Sequence, residues 1–206
     1  MGLLLSVNLA DLRTLPRGGK QVRTGIWKLP VEGRIGAAPL GLTGDTQADR
    51  SVHGGPDKAV YAYAREDTEW WEQQLGRALE NGAFGENLTV SGVDASNALV
   101  GERWRIGSVL LEVSEPRLPC WKLAMKMGDP KFLKRFAKAL RPGAYLRVIE
   151  AGELGAGDPI DVVERPDHDV TVRLVAEAVL ADKGLAPRLL AAPRLSPEYR
   201  EWAAAA

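Results

Sequence analysis

The only cysteine of the chain, Cys120, lies in a segment suited to binding a metal or attacking a substrate. Pro116 and Pro119 stiffen the approach to it, because each ring fixes its own φ and favours an extended residue before it. Arg117 and Lys122 flank the thiol, and nearby cations stabilise the thiolate, which is the form that binds metals. A buried, inert cysteine is the other interpretation, and the local sequence leaves both open.

Three further segments combine glycine with polar side chains in a way that a hydrophobic core does not require. They are residues 23–28, residues 44–49 with 53–60, and residues 84–88. In the second, adjacent glycines allow backbone N–H groups to approach an anion and Lys58 supplies charge, although an ordinary hairpin turn would look the same. Asn87, in the third, either caps a turn or hydrogen-bonds to a heterocycle or oxo group.

The composition argues against several classes of function. Lys and Arg number 27 and Asp and Glu number 27, so the formal net charge is zero. Nucleic-acid coats and polybasic membrane surfaces need an excess of cations, so we expect neither a nucleic-acid partner nor a membrane partner. One cysteine forms no internal disulfide and holds no iron–sulfur cluster, so any redox chemistry needs a second molecule in the electron path.

The hydropathy pattern predicts a cytoplasmic protein. No segment approaches the roughly 20 apolar residues that a membrane span requires. The first residues carry no basic region and no small-residue cleavage site, so they do not resemble a signal peptide.

Short apolar runs cut by glycine and proline predict a mostly β domain before residue 165. Runs rich in β-branched or aromatic residues predict strands at 3–7, 59–63, 109–113, 145–149 and 160–163. Apolar spacing predicts a helix over 66–79, and Asp129 followed by proline predicts a helix over 130–140. The second helix carries basic residues over 131–141, which form either a solvated face or a docking surface for an acidic partner.

The composition changes after residue 165. Apolar residues at helical spacing predict an amphipathic helix over 172–180, and shorter helices follow over 185–190 and 197–202. We therefore expect a first domain over 1–164 and a small three-helix module over 165–206. About forty residues are too few to be stable alone, so this module should pack on the first domain or on a partner chain.

These segments together resemble the MOSC family, the domain named for the C-terminal part of molybdenum cofactor sulfurase, and in particular its YiiM-like bacterial members. The matching stretches run almost from end to end, at 44–49, 53–61, 84–89, 112–123 and 143–148. Several long motifs in the right order are far more specific than any single one. The resemblance implies an α+β fold: a mostly β, MOSC-type barrel with peripheral helices, followed by the three-helix module.

The resemblance also implies the site. It implies a molybdenum cofactor, a pterin-bound molybdenum (Mo-molybdopterin), whose protein ligand is Cys120, and a soft thiolate suits such a metal. Cys120 and Asn87 are the expected catalytic residues, with Asn87 near the pterin or the oxygen ligands of the metal. The expected cofactor-binding residues are those at matching family positions: Lys28, His53, Lys58, Asn87, Arg117 and Arg147.

The activity implied by the resemblance is reduction of N–O bonds in small N-hydroxylated compounds such as hydroxylaminopurines. The cofactor supplies the redox step, and the protein supplies ligation, orientation and charge. Electrons would come from a separate reductase, expected to contain flavin. Two alternatives stay open: a non-catalytic carrier of the molybdenum cofactor, and a sulfur carrier that uses a Cys120 persulfide. The oligomeric state is also open, with a homodimer as one option.

Overall fold

A computed structural model describes residues 2–46 and 54–206. Its strands are β1 (Gly2–Ala10), β2 (Arg13–Arg17), β3 (Lys20–Thr24), β4 (Lys28–Val31), β5 (Ile35–Ala38), β6 (Gly41–Leu42), β7 (Val60–Ala64), β8 (Leu88–Ser91), β9 (Arg103–Ile106), β10 (Val109–Pro116), β11 (Ala144–Glu150), β12 (Gly152–Leu154) and β13 (Pro159–Glu164).

The helices are α1 (Arg65–Leu75), α2 (Trp121–Met127), α3 (Phe132–Ala139), α4 (Val172–Leu180), α5 (Ala186–Leu189) and α6 (Pro197–Ala205), with short 3-10 turns at Pro56–Lys58 and Lys183–Leu185. In the described parts of the chain, no helix has the length and apolarity needed to cross a membrane.

Within the described residues, seven strands close into a barrel. Their order is β13-β9-β10-β11-β7-β8-β1, and β1 returns to β13 with Gly2 opposite Ile160. The pairing of β7 with β8 is parallel and the other pairings are antiparallel. The second half of β1 pairs with β4, where Ala10 lies opposite Lys28. The predicted mostly β barrel with peripheral helices is confirmed.

The barrel strands form because their apolar residues fill one continuous core. Leu4, Val90, Trp104, Leu111 and Leu146 are fully buried in it. All eight residues of β10 are buried, because the barrel core covers one face of this strand and neighbouring elements, including α4, cover the other. The long apolar run that predicted this strand therefore reflects burial on both faces.

A second, aromatic cluster packs the helices α1, α2 and α3 against the outside of the barrel. Tyr63 stacks on Phe84 with ring centroids 4.3 Å apart, and Trp71 contacts Phe132 at 4.9 Å. The Trp71 indole N–H donates to the Tyr63 hydroxyl at 3.0 Å, so these two buried polar groups are paired. Cys120 packs at the edge of this cluster, which therefore supports the loop that carries it.

Two helix predictions need correction, and one helix was missed. The helix predicted over 66–79 ends at Leu75, because Gly76 adopts a left-handed conformation (φ 65°) and its N–H caps the Glu72 carbonyl. The helix predicted over 130–140 begins at Phe132, because Asp129 accepts from the Lys131 N–H and forms a turn before the helix. The sequence did not predict α2 at all.

The C-terminal helices pack on the barrel. Their core contains Val175, Leu189 and Tyr199 together with Val100, which comes from the segment before β9. Thr171 caps α4 by accepting from the Leu174 N–H at 3.1 Å, as expected for a threonine before a helix. The module therefore buries its apolar face against the same chain.

A buried carboxylate, Glu112 on β10, ties the C-terminal module to the barrel. It accepts from Arg103 at 3.0 Å, from Arg147 at 3.0 Å and from Arg194 at 2.8 Å. Arg147 also donates to Asp57 at 2.5 Å and to the backbone carbonyl of Arg194 at 2.8 Å. Because Asp57 belongs to the first 3-10 turn, this network joins a barrel strand, that turn and the segment before α6.

We expect Glu112→Gln to lower the free energy of unfolding by about 1–3 kcal/mol, because a neutral amide cannot balance three guanidinium groups and their partial exposure moderates the loss. Urea unfolding measures the change, provided that the slope stays constant. Glu150→Gln is the control, since Glu150 makes an exposed pair with Arg105 at 2.6 Å and should give no measurable change. Equal effects of the two substitutions would contradict the assignment.

Candidate functional site

An open pocket at one end of the barrel brings together most of the predicted site residues. Counted out to its open mouth, it encloses about 630 Å³. Lys28, Lys58, Asn87, Arg117 and Cys120 all line it. Side chains that the sequence did not assign to the site also line it, among them Asp45, Tyr61, Lys122 and Tyr145.

Strand register explains why residues far apart in the sequence meet here. Lys28 is the first residue of β4 and lies opposite Ala10 at the end of β1. Asn87 directly precedes β8, and its backbone carbonyl accepts from the Asn8 N–H at 2.7 Å. The Asn87 N–H in turn donates to the Tyr61 carbonyl on β7 at 2.8 Å. Four neighbouring strands, in the order β7-β8-β1-β4, thus place polar residues at the same rim of the barrel.

Cys120 lies where the chain leaves β10 and enters α2. The strand ends at Pro116, and Cys120 is the N-cap residue of the helix with an extended backbone (φ −128°, ψ 159°). The side chain is partly exposed and lines the pocket. The thiol is therefore not sealed in the core, and a ligand in the pocket can reach it.

Arg117 is a buried guanidinium beside the thiol. Its Nη2 lies 3.8 Å from Cys120 Sγ, and its guanidinium carbon lies 5.9 Å from the Tyr61 ring centroid. Burial lowers the pKa of Arg117, whereas the electrostatic attraction of Cys120 and nearby tyrosines raises it. The attraction is the stronger effect in sum, so the pKa of Arg117 lies above its ordinary value. Its Nη1 has no hydrogen-bond partner among the described residues. A buried cation with an unused donor in a pocket wall favours binding of an anion.

Lys28 and Asn87 share one buried carboxylate, Asp45. Lys28 Nζ contacts both Asp45 oxygens at 2.5 Å, Asn87 Nδ2 donates to Asp45 Oδ2 at 2.9 Å, and the Ala10 N–H donates to Oδ1 at 2.8 Å. Burial lowers the pKa of Lys28, and the attraction of Asp45 only partly offsets this. Asp45 was the missed residue here, although the glycine-rich stretch 44–49 that contains it was singled out.

The Asn87 amide is already engaged within the protein. Besides Asp45, Nδ2 donates to the Asn8 carbonyl at 3.2 Å, and Oδ1 accepts from the Tyr61 N–H at 3.2 Å. Both amide protons are therefore in use, and a ligand would find only the second lone pair of Oδ1. In this arrangement Asn87 mainly holds Asp45 and the strand ends in place.

Lys58 and Lys122 add positive charge to the pocket wall. Lys58 lies 3.3 Å from Glu115 and 3.3 Å from Glu198. Burial opposes its charge, but these carboxylates together raise the pKa of Lys58, while burial raises the pKa of Glu115. Lys122 is buried with 6% of its surface exposed, and the sequence placed it beside the thiol without giving it a role in the site.

Behind the pocket, the buried Glu86 and the half-buried Lys126 fix the loops that form its wall. Glu86 accepts from the N–H groups of Gly82 at 2.6 Å and Phe84 at 2.9 Å. Lys126 on α2 donates to the carbonyls of Ile26 at 3.0 Å and Gly82 at 2.5 Å. Burial lowers the pKa of Lys126 to about 8 and raises that of Glu86. These two residues position the site. The sequence analysis missed them, because their contacts with backbone groups of the loops depend on the folded structure.

Two predicted site residues do not join the others. Arg147 is absent from the described residues that line the pocket, and its donors go to Glu112, Asp57 and the Arg194 carbonyl. Its side chain leaves the barrel on the side of the helical module and holds that module in place, so its role in cofactor binding stays a prediction that this placement does not support. His53 lies outside the described residues, so its role stays a prediction.

The chain is similar to known proteins over most of its length. The MOSC domain model matches residues 49–161. The protein YflK of Bacillus subtilis is 37% identical over 200 residues, which cover 96% of this chain and 90% of YflK. Protein YiiM of Escherichia coli is 36% identical over 180 residues, covering 84% and 80%. A Gibberella moniliformis protein named Reductase is 33% identical over 194 residues, but the match spans only 34% of its length.

Solved structures share the whole architecture. The crystal structure of YiiM from Geobacillus stearothermophilus superposes with a TM-score of 0.82 at 27% identity, covering 100% of this chain and 98% of that one. YiiM from Escherichia coli gives a TM-score of 0.75 at 28% identity, covering 100% and 92%. The resemblance indicated by the sequence motifs is confirmed, and it extends through the C-terminal helices. The chain belongs to the MOSC domain family.

Proposed function

We propose that this protein binds a molybdenum–pterin cofactor through Cys120 and uses it to reduce small N-hydroxylated compounds, such as hydroxylaminopurines, in the cytoplasm. Its membership in the MOSC family, whose domains are associated with the molybdenum cofactor, supports the cofactor. The observation that carries the proposal is a partly exposed thiol in an open, cationic pocket. The relative named Reductase supports an oxidoreductase role.

The charges of the pocket fit an anionic cofactor. Among the described lining residues, Lys28, Lys58, Arg117 and Lys122 are cationic and only Asp45 carries a carboxylate. This local excess stands out in a chain whose formal net charge is zero. The unused Nη1 of Arg117 is the donor best suited to the cofactor's phosphate, because Lys28 is paired with Asp45 and Lys58 lies against two carboxylates. The thiolate of Cys120 suits a soft metal.

The bound cofactor would supply the transfer of an electron pair to the N–O bond of the substrate. In the net reaction a hydroxylamino group takes up two electrons and two protons, the N–O bond breaks, and the products are an amine and water. The electrons come from a separate, flavin-containing reductase. The protein's own residues hold the cofactor at Cys120, balance its negative charge with Arg117 and the lysines, and keep the pocket rim rigid through Asp45.

We expect Cys120→Ser to lose molybdenum while the fold is retained, because a hydroxyl is a poor ligand for a soft metal. Both proteins are purified from a host that makes the cofactor, and the metal is measured by mass spectrometry. Met125→Leu is the matched control, since it removes an exposed sulfur that does not line the pocket. The same molybdenum content in the Cys120 variant and the unaltered protein would remove the ligand assignment.

We expect Arg117→Met to weaken retention of the cofactor by about tenfold or more, because a hydrogen bond to a charged group is worth about 1.5–3 kcal/mol. Retention is measured as the pterin that remains bound after dialysis. Arg147→Met makes the same chemical change outside the pocket, so it should lower stability and leave retention unchanged. If the two variants lose the cofactor equally, the phosphate is not held by Arg117.

We expect the molybdenum-loaded protein, given an artificial electron donor, to convert a hydroxylaminopurine to the aminopurine in step with donor oxidation. The assay follows both purines by chromatography, and the Cys120→Ser protein gives the background rate. Bound molybdenum without any turnover would favour the cofactor-carrier alternative. A sulfur adduct on Cys120 in protein without molybdenum would favour the sulfur-carrier alternative.

A further inference from the structure

A second pocket adjoins the first and shares Cys120 with it. It encloses about 1290 Å³ out to its open mouth. Lys58, Lys122 and Tyr145 also line both pockets, so the thiol lies in the wall between two spaces. The remaining walls come from the β2–β3 hairpin, from the loop 116–121, and from α6 of the C-terminal module.

The charges of this second pocket differ from those of the first. The second pocket is lined by three cationic residues, Arg17, Lys58 and Lys122, and by two carboxylates, Glu115 and Glu198. Its cations therefore exceed its carboxylates by one, whereas the cations of the first pocket exceed its single carboxylate by three. Nearly balanced charge does not favour a phosphate. It suits a neutral ligand that carries both hydrogen-bond donors and acceptors.

The other surfaces of the pocket are flat and apolar. Trp121, Tyr145 and Tyr199 contribute aromatic rings, and Val22 and Leu118 contribute aliphatic surface. The guanidinium of Arg17 lies 4.5 Å from the centroid of the Trp121 ring and holds this partly exposed indole in place. Aromatic side chains of this kind stack on planar heterocycles with little regard to their substituents.

A buried hydrogen-bond acceptor lies among these rings. Glu115 is 1% exposed and lines the pocket next to Lys58. An ionised carboxylate has about four lone-pair positions, so the contacts with Lys58 and Ser196 leave capacity to accept N–H groups of a ligand. Apolar walls with a few fixed polar groups are the usual make-up of a small-molecule site.

We propose that this second pocket binds the organic part of the substrate, a neutral planar nitrogen heterocycle, with its ring against Trp121 and Tyr199 and its N–H groups directed to Glu115. The inference rests on the proposed function, because it assigns the first pocket to the cofactor and the second to the compound that is reduced. The hydroxylamino group then points toward the wall at Cys120. The β2–β3 hairpin and α6, which lie outside the region matched by the family model, would set the choice of heterocycle.

The test measures binding rather than turnover. Calorimetric titration of the full-length Cys120→Ser protein with a hydroxylaminopurine gives a dissociation constant without reduction. We expect Trp121→Leu to weaken this binding by about tenfold, since stacking on an aromatic side chain is lost, and Trp121→Phe to retain most of it. Trp70→Leu is the matched control, because Trp70 is also partly exposed under an arginine, Arg141 at 4.7 Å, but does not line the pocket.

Inorganic phosphate is the second probe and reports on the first pocket. Trp121→Leu should leave phosphate binding unchanged, whereas Arg117→Met should weaken it and leave the purine bound. Three results would each overturn the inference. The first is that the Cys120→Ser protein does not bind the purine, and the second is that the Trp70 and Trp121 substitutions weaken purine binding equally. The third is that purine and phosphate compete for binding. If the loaded protein binds the purine but does not reduce it, the pocket assignment holds and the proposed function fails.

Discussion

Closure of the barrel through β1 is the constraint on which the rest of the structure depends. This strand pairs with β8 and β13 over its first part and with β4 over its second part. The pairings carry Lys28, Asn87 and the end of β1 to one rim, where all three meet Asp45. Because the register of a closed sheet cannot slip by one residue without exposing its core side chains, the pairing of these strands determines which side chains reach the rim.

Charge is sorted between two places in a chain with no net charge. Glu112 gathers three arginines on the outer side of the barrel, where they join the helical module to it. At the rim, cations outnumber carboxylates and Arg117 keeps an unused donor. Buried charges are costly unless they are paired. The arginines around Glu112 are paired within the protein, whereas Nη1 of the buried Arg117 has no hydrogen-bond partner among the described residues. This difference is why we assign the proposed cofactor site to the rim.

The helical module connects stability with the site. It packs on the barrel through Val100 and is held by the Glu112 network. Its last helix also places Glu198 and Tyr199 in the wall of the second pocket, which Cys120 lines as well. The module therefore both packs on the barrel and forms part of a pocket wall. The YiiM structures superpose on the whole of this chain, so the C-terminal helices belong to the shared fold.

The sequence by itself determined the class of fold, the position of the main strands and the presence of the C-terminal helices. It also determined the segment that carries Cys120. These features depend on local residue types, on their spacing and on long motifs. Only the tertiary structure decided that Asp45 pairs with Lys28, that Lys122 lines the pocket and that Arg147 points away from it. The physical reason is the same in each case. Strand register and barrel closure decide which distant charge a side chain meets and on which face of the sheet it lies. No local pattern of residues encodes that information.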